Sequence, residues 1–314
     1  MGYSCVTDMN RVAYLIKRFF LHLYRGSLSR RMNEEWHEYV KRRRIAWWDS
    51  HKENEAHFTF SLQKDIKINL YYDSVLCRLI YCNRFEWSER HFLKNYLKPG
   101  DTFVDVGANI GLFTLIASRL VGAGGKVIAL EPCAKTFDKL AGNLALNRMN
   151  NAQCFQMALS DHSGRIHMNS SLDGYDAWNS MAPPIAGSAF ATEMVNAVTW
   201  DDFARKQNLM GCVTMMKIDV EGWENHVLSG GTVTFSRPDA PVLQIEFTEQ
   251  ASLVAGSSCQ VLYRQLEAFG YRMFLYDVPS GHLVPDPMRQ SYPYLNLIAA
   301  KDPDAVRSRI GRRP

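Results

Sequence analysis

The sequence predicts an α/β protein: a doubly wound, mostly parallel sheet with helices on both faces and an antiparallel last strand. An N-terminal helical and β-hairpin extension precedes it. Three observations carry this. From Asp101 onward, short apolar runs of strand character alternate with segments of helical period. A glycine-bounded turn, "VGANIG", follows the first of these runs directly. The 314 residues, 46% hydrophobic and 22% charged, suffice to bury a large core without disulfides or metals.

Residues 1–55 read as a basic helical extension. In "RVAYLIKRFFLHLYRG", Val12, Leu15, Ile16, Phe19 and Leu23 recur at helical spacing, with Arg11, Arg18, His22 and Arg25 on another face. Such a helix over 11–25 suits an anionic membrane surface. Its stripe equally suits packing on the domain or on a second copy of the chain, the commoner use of such a stripe. "RRMNEEWHEYVKRRR" predicts a second helix with a solvated charged face. Residues 56–100 form a lead-in. "HFTFSLQKDIKINLYY" alternates as a hairpin turning near Gln63–Asp65, and "EWSERHFLKNYL" follows as a helix with Ser88 as N-cap.

The main domain spans 101–301. Its strands are predicted at 102–106, 126–130, 152–158, 213–220, 242–247, 272–276 and 295–300. Helices are predicted at 112–121, 135–147, 200–207, 223–229 and 259–269. The excursion "MNSSLDGYDAWNSMAPPIAGSAFATE" reads as a loop, being polar and rich in Gly, Pro and Ser. Residues 302–314 read as a loose basic tail.

Charge is uneven. Residues 1–52 carry 11 Lys/Arg against 5 Asp/Glu, residues 301–314 carry 5 against 2, and the body carries 20 against 25. A basic stripe on the folded body is therefore missing, and no nucleic-acid partner is expected. The seven cysteines are odd in number and show no C-x-x-C spacing, which predicts reduced thiols, no zinc or other metal site, and a cytoplasmic protein. The apolar stretch from Val12 to Tyr24 is interrupted by Lys17, Arg18 and His22 and is too short to cross a bilayer.

The loop Gly107-Ala-Asn109-Ile-Gly111 follows the first strand, where open α/β sheets bind ligands. Gly107 permits a tight turn, and Gly111 lets the next helix approach the strand. A dinucleotide fingerprint needs a glycine where Asn109 stands, and a P-loop needs a following Gly-Lys-Ser/Thr that is not there. A nucleoside-like ligand without phosphates is implied. Asp105 would repel a pyrophosphate and attract an ammonium or sulfonium, and S-adenosylmethionine carries both. Glu131, closing the second strand, suits the ribose hydroxyls. Ser160 and Asp161, in "ALSD" after the third strand, are placed to meet an adenine.

"VDVGANIGLFT", "ALEP", "ALSDHSG", "VTWDDF", "MKIDVEGWE" and "VLQIEF", in this order, resemble the FkbM family of S-adenosylmethionine-dependent methyltransferases over about residues 57 to 301. The resemblance implies a class I methyltransferase (Rossmann-like) sheet with strand order 3-2-1-4-5-7-6. It assigns Asp105, Gly107, Asn109 and Gly111 to the cofactor loop and Glu131 to the ribose. It also implies O-methylation of a hydroxyl on a sugar, glycan or natural product. Trp200 stands where the family usually has Leu, a position read as packing.

In-line methyl transfer to an alcohol needs alignment, exclusion of water and a base. "MKIDVEGWE" supplies Lys217, Asp219 and Glu221 at alternate positions, which places them on one face of a strand. Asp219 is the first choice for base or acceptor ligand. Glu221 is the second choice, or the cap of the following helix. Lys217 holds a carboxylate charged, binds an acidic substrate, or pairs with Asp219 for structure. Glu246 is expected at the same rim, and His226 reads as structural. Tyr175, Trp178 and Asn179 in the excursion could stack on and hydrogen-bond an acceptor ring, and Glu86 with Trp87 could close over the site. An amino-methyltransferase would show Asn/Asp-Pro-Pro-Tyr/Phe where Asp219-Val-Glu-Gly222 stands, so that class is set aside. The alternative outside enzymes is a cofactor-binding scaffold docking a membrane or multienzyme assembly through its basic N-terminal helices.

Overall fold

The computed structural model describes residues 27–53, 56–83, 85–171, 181 and 190–311; side chains are described from 38 onward, without 171. The expected helix over 11–25 and the acceptor residues Tyr175, Trp178 and Asn179 lie outside the described residues. Two compact units divide after Glu55. In the first, helix α1 (Ser27–His51) contains the charged run of the expected second helix and extends beyond it on both sides. Its last turn is closed by His51, whose ring stacks on Trp47 with centroids 4.3 Å apart. Among the described residues no helix is long and apolar enough to cross a membrane.

The second unit opens with hairpin β1 (His57–Gln63) and β2 (Ile66–Tyr71), antiparallel as the alternation predicts. Helix α2 (Val75–Tyr81) follows, capped by Ser74, whose hydroxyl accepts the Cys77 N–H at 3.1 Å. Helix α3 (Trp87–Tyr96) comes next. Ser88 does not cap it, because its hydroxyl donates to Glu89 at 2.7 Å. The N-cap position belongs to Glu86, held at φ +43°.

The doubly wound part runs β3 (Thr102–Val106), α4 (Leu112–Val121), β4 (Lys126–Leu130), α5 (Ala134–Asn147) and β5 (Ala152–Phe155). After an excursion come α6 (Trp200–Lys206), β9 (Met215–Ile218), α7 (Glu224–Ser229), α8 (Thr232–Ser236) and β10 (Val242–Phe247). Then follow α9 (Glu249–Val254), α10 (Cys259–Ala268), β11 (Arg272–Asp277), β12 (His282–Pro285) and β13 (Leu295–Ala300). The sheet order is β5-β4-β3-β9-β10-β13-β11-β12. Its seven main strands reproduce the expected 3-2-1-4-5-7-6, with β13 antiparallel to β10 and β11, and β12 added at the edge. The central strands are buried on both faces, so they read as continuous apolar runs. Trp200 is fully buried within the core they share with α6, α7 and α10, the packing role read from the sequence.

Two expectations are corrected. Part of the polar excursion is a sheet: β7 (Gly164–Ser171) pairs antiparallel with β8 (Phe190–Val198), and β6 (Ala158–Leu159) adds to β8. Met168, Val195 and Ala197 bury one face, while the residues between them are polar and mask the strands. Nor are residues 303–311 a loose tail. They form α11 (Pro303–Gly311), with Val306 and Ile310 buried and the Arg309 guanidinium on Asp101 and the Tyr96 carbonyl. Asp302 accepts the N–H groups of Asp304 and Ala305, and proline occupies the first helical position, a start signal present in "KDPDAV".

Candidate active site

Strand β3 lies between β4 and β9, so the loop after Val106 emerges over the carboxyl ends of all three. The loop is tied down by its own backbone. The N–H groups of Gly107 and Ala108 both donate to the Leu130 carbonyl at 3.0 Å. Gly107 has φ +78°, and a Cβ there would stand 1.9 Å from the Asp219 carbonyl oxygen, so only glycine fits. Asn109 takes φ +48°, and its side chain accepts the Ile110 N–H at 2.8 Å, a conformation asparagine tolerates better than most residues. Gly111, at φ +92°, occupies the N-cap of α4. Glu131 is buried and locks the loop from the next strand. One of its oxygens accepts the Asn109 N–H and the other the Cys133 N–H, each at 3.0 Å.

A cavity of about 380 Å³ opens beside this loop. Asp105, Gly107, Asn109 and Glu131 line it on one side, and Glu86, Lys217, Asp219, Glu221 and Glu246 on the other. Asp105 is buried and accepts the Thr114 hydroxyl at 2.6 Å. Burial raises its pKa, against the pull of Lys217 and Thr114. Lys217 sits in register with Asp105 and carries the counter-charge. Its Nζ lies 2.5 Å from Asp219 Oδ2, 3.9 Å from Glu86 Oε2 and 4.7 Å above the Phe113 ring. Burial opposes its charge, but Asp219, Glu86 and Asp105 outweigh that and hold its pKa above the ordinary lysine value.

The remaining acids are crowded. Glu86 accepts the Tyr294 hydroxyl at 3.3 Å and the Asn296 amide at 3.4 Å through Oε1, while its Oε2 is buried without a hydrogen-bond partner. Burial pushes its pKa up to about 8; Lys217 pulls it down, and Asp219 pushes it further up. Glu246 accepts the Thr248 hydroxyl at 3.1 Å through Oε1, and its Oε2 is likewise buried without a partner. Its pKa is raised well above the carboxylate range by burial and then by Glu221 and Asp219. Glu221 is raised for the same reasons. Carboxylate oxygens of Asp219, Glu221 and Glu246 all lie within 4.8 Å of one another.

Most of the residues singled out in the sequence thus line this one cavity, though not always for the reason given. Glu221 does not reach the cavity by strand alternation, since β9 ends at Ile218 and Glu221 takes φ +52° in the following turn. Nor does it cap the following helix, which has no side-chain cap; Glu224 Oε1 instead ties the turn before the helix, accepting the Val220 and Gly222 N–H groups at 3.0 and 3.3 Å. Ser160 and Asp161 are not among the residues lining the cavity. Asp161 binds His226 at 3.0 Å and His162 at 2.6 Å, while Ser160 accepts the Trp223 indole N–H at 3.2 Å. His226 also stacks on Trp223, ring centroids 3.7 Å apart, which fits the structural role expected of it. Trp87 stands half-exposed against His91, apart from the cavity lining. Tyr294, Asn296 and Thr114 escaped sequence reasoning, because nothing local distinguishes them from packing residues.

Comparison with known proteins gives one family. The model of the methyltransferase FkbM domain matches residues 105–273. "Methyltransferase 1" of Beauveria bassiana (strain ARSEF 2860) is 31% identical over 148 residues, covering 42% of this chain and 59% of that protein. The 31-O-demethyl-FK506 methyltransferase FkbM of Streptomyces tacrolimicus is 39% identical over 80 residues, 25% of this chain and 30% of that one. The chain therefore spans less than two thirds of either relative. Among solved structures, a methyltransferase FkbM from Methylobacillus flagellatus KT is similar with a TM-score of 0.39 at 15% identity, covering 71% of this chain and 54% of the other.

Proposed function

The chain belongs to the methyltransferase FkbM domain family, and from that premise we propose that it is an S-adenosylmethionine-dependent O-methyltransferase acting on a hydroxyl of a sugar, glycan or natural product. The observation that carries this reading is the convergence of a glycine-cradled loop, a ribose-competent Glu131 and a lysine-paired Asp219 on one cavity. The cavity fits the cofactor. Gly107 lets it approach the backbone, Glu131 brings a carboxylate to the cavity wall at the end of the second strand, and the buried carboxylate of Asp105 favours a cation. Asp105, Gly107, Asn109, Gly111 and Glu131 would hold it. When bound, it supplies an electrophilic methyl carbon, which an acceptor oxygen takes while the carbon–sulfur electron pair departs with sulfur. Ser160 and Asp161 stay candidates only for the outer, adenine end.

The chain's own work lies at the other side. Asp219 takes the proton of the acceptor hydroxyl. Lys217 orients Asp219 through their 2.5 Å contact. Glu86 and Glu246 offer acceptor atoms to neighbouring hydroxyls of a polyol. The O-methyl reading also draws on the name of the Streptomyces relative. Calorimetric titration with S-adenosylmethionine, followed by product mass analysis on candidate glycans with isotopically labelled cofactor, tests it. Binding plus a labelled methyl ether in the product is expected. Absence of cofactor binding by the intact protein would sink the reading.

A further inference from the structure

The acid-rich side of the cavity has more negative charge than its surroundings answer. Glu86, Asp219, Glu221 and Glu246 line it together with one ammonium, Lys217. Oxygens of Asp219, Glu221 and Glu246 converge within 4.8 Å of one another, although carboxylates repel at that range. A second observation is independent of this convergence. Glu86 and Glu246, 8% and 2% exposed, both line the cavity, and each buries one oxygen that has no hydrogen-bond partner, that of Glu86 lying 3.9 Å from Lys217 Nζ. Directly opposite Glu246 in register, the buried amide oxygen of Asn296 also has no partner. Buried acceptors without a donor are costly in a finished structure, and oxygens of this kind suit a hard cation.

We propose that Asp219, Glu221 and Glu246 form a binding site for a hard divalent cation of the Mg²⁺ or Mn²⁺ class, with Glu86 and Asn296 bordering it. Three carboxylates from a strand end, a turn and the neighbouring strand leave open positions, the arrangement of a cation that also takes ligands from substrate. Its task, resting on the methyl-transfer reading above, is to hold an acceptor hydroxyl or vicinal diol and make its proton easier to remove. A monovalent sulfonium cofactor would leave the excess of negative charge largely uncancelled.

The test is Mn²⁺ alone, titrated into chelator-stripped full-length protein and followed by electron paramagnetic resonance and calorimetry. One saturable site per chain is expected, displaced by excess Mg²⁺. Glu246→Gln and Glu221→Gln should each weaken it roughly tenfold or more. No saturable uptake by the wild type up to about a millimolar, the weak end for such sites, overturns the proposal. Uptake unchanged in both variants overturns it too. The wild-type titration decides the matter even if a variant fails to fold. S-adenosylmethionine binding on the same stripped sample reports separately on the methyl-transfer reading, so the two can fail independently.

Discussion

The two sides of the cavity are built on opposite terms. On the loop side, Glu131 has both oxygens engaged by backbone N–H groups, and the loop itself hangs on the Leu130 carbonyl. On the acid side, Glu86 and Glu246 each keep a buried oxygen without a hydrogen-bond partner, and one lysine faces four carboxylates. The first side is complete before any ligand arrives, and main-chain geometry holds it. The second is held by side chains and is completed by what binds there. Changes on the loop side should therefore disturb the fold and cofactor affinity together, and changes on the acid side should reach turnover and pH response first.

The largest effect is expected from Gly107→Ala. A methyl group at φ +78° and 1.9 Å from the Asp219 carbonyl forces the loop away from β9. Left-handed strain plus overpacking should cost roughly 2–5 kcal/mol. Thermal denaturation should show an earlier transition, and calorimetry no S-adenosylmethionine binding. Next, Asp219→Asn should lower kcat by roughly 10²–10⁴ while cofactor affinity stays within a few-fold. Full kcat in that variant would remove Asp219 as the base. Asp105→Ala should weaken cofactor binding by roughly 10- to 100-fold, the worth of a buried charged contact. An unchanged Kd would take Asp105 out of the cofactor side.

The smallest effect concerns pH. Burial raises the Glu86 pKa to about 8, against roughly 4.3 in an unfolded chain. The folded state thus keeps a proton that the unfolded state has released. This contribution to stability is whole below about pH 4 and is lost as pH rises through about 8. Denaturant unfolding in the presence of chelator should show wild-type stability declining over that window and Glu86→Gln declining less. Parallel curves would mean that Glu86 does not titrate there.

The loop side was almost wholly legible in the sequence, because its determinants are local. "VDVGANIG" carries strand, turn and helix start within a few residues, and "ALEP" ends the neighbouring strand. The acid side was legible as a set of residues but not as a geometry. That Glu221 enters through a left-handed turn, and that Glu224 ties that turn, depends on φ values that Glu-Gly-Trp-Glu does not announce. Strands β7 and β8 were hidden because a small three-stranded sheet needs few apolar residues, and Arg165, His167, Asn169, Thr192 and Asn196 stand on its other face. Asp161 shows the limit of arguing from strand ends: it follows β6 of the small sheet rather than β5, and two histidines already claim the carboxylate.

Strand β13 lies inside the sheet, between β10 and β11, and brings with it Tyr294 and Asn296, the two donors that hold Glu86. The wall of the cavity thus joins residues more than two hundred positions apart. During synthesis everything up to β12 emerges before the strand that must be inserted between two strands already made. Until then β10 and β11 lack their shared partner, and Glu86 lacks both donors. The protein therefore cannot finish its cavity progressively as it leaves the ribosome. Binding competence should arrive in one step, once residues 294–300 are free to slot into place.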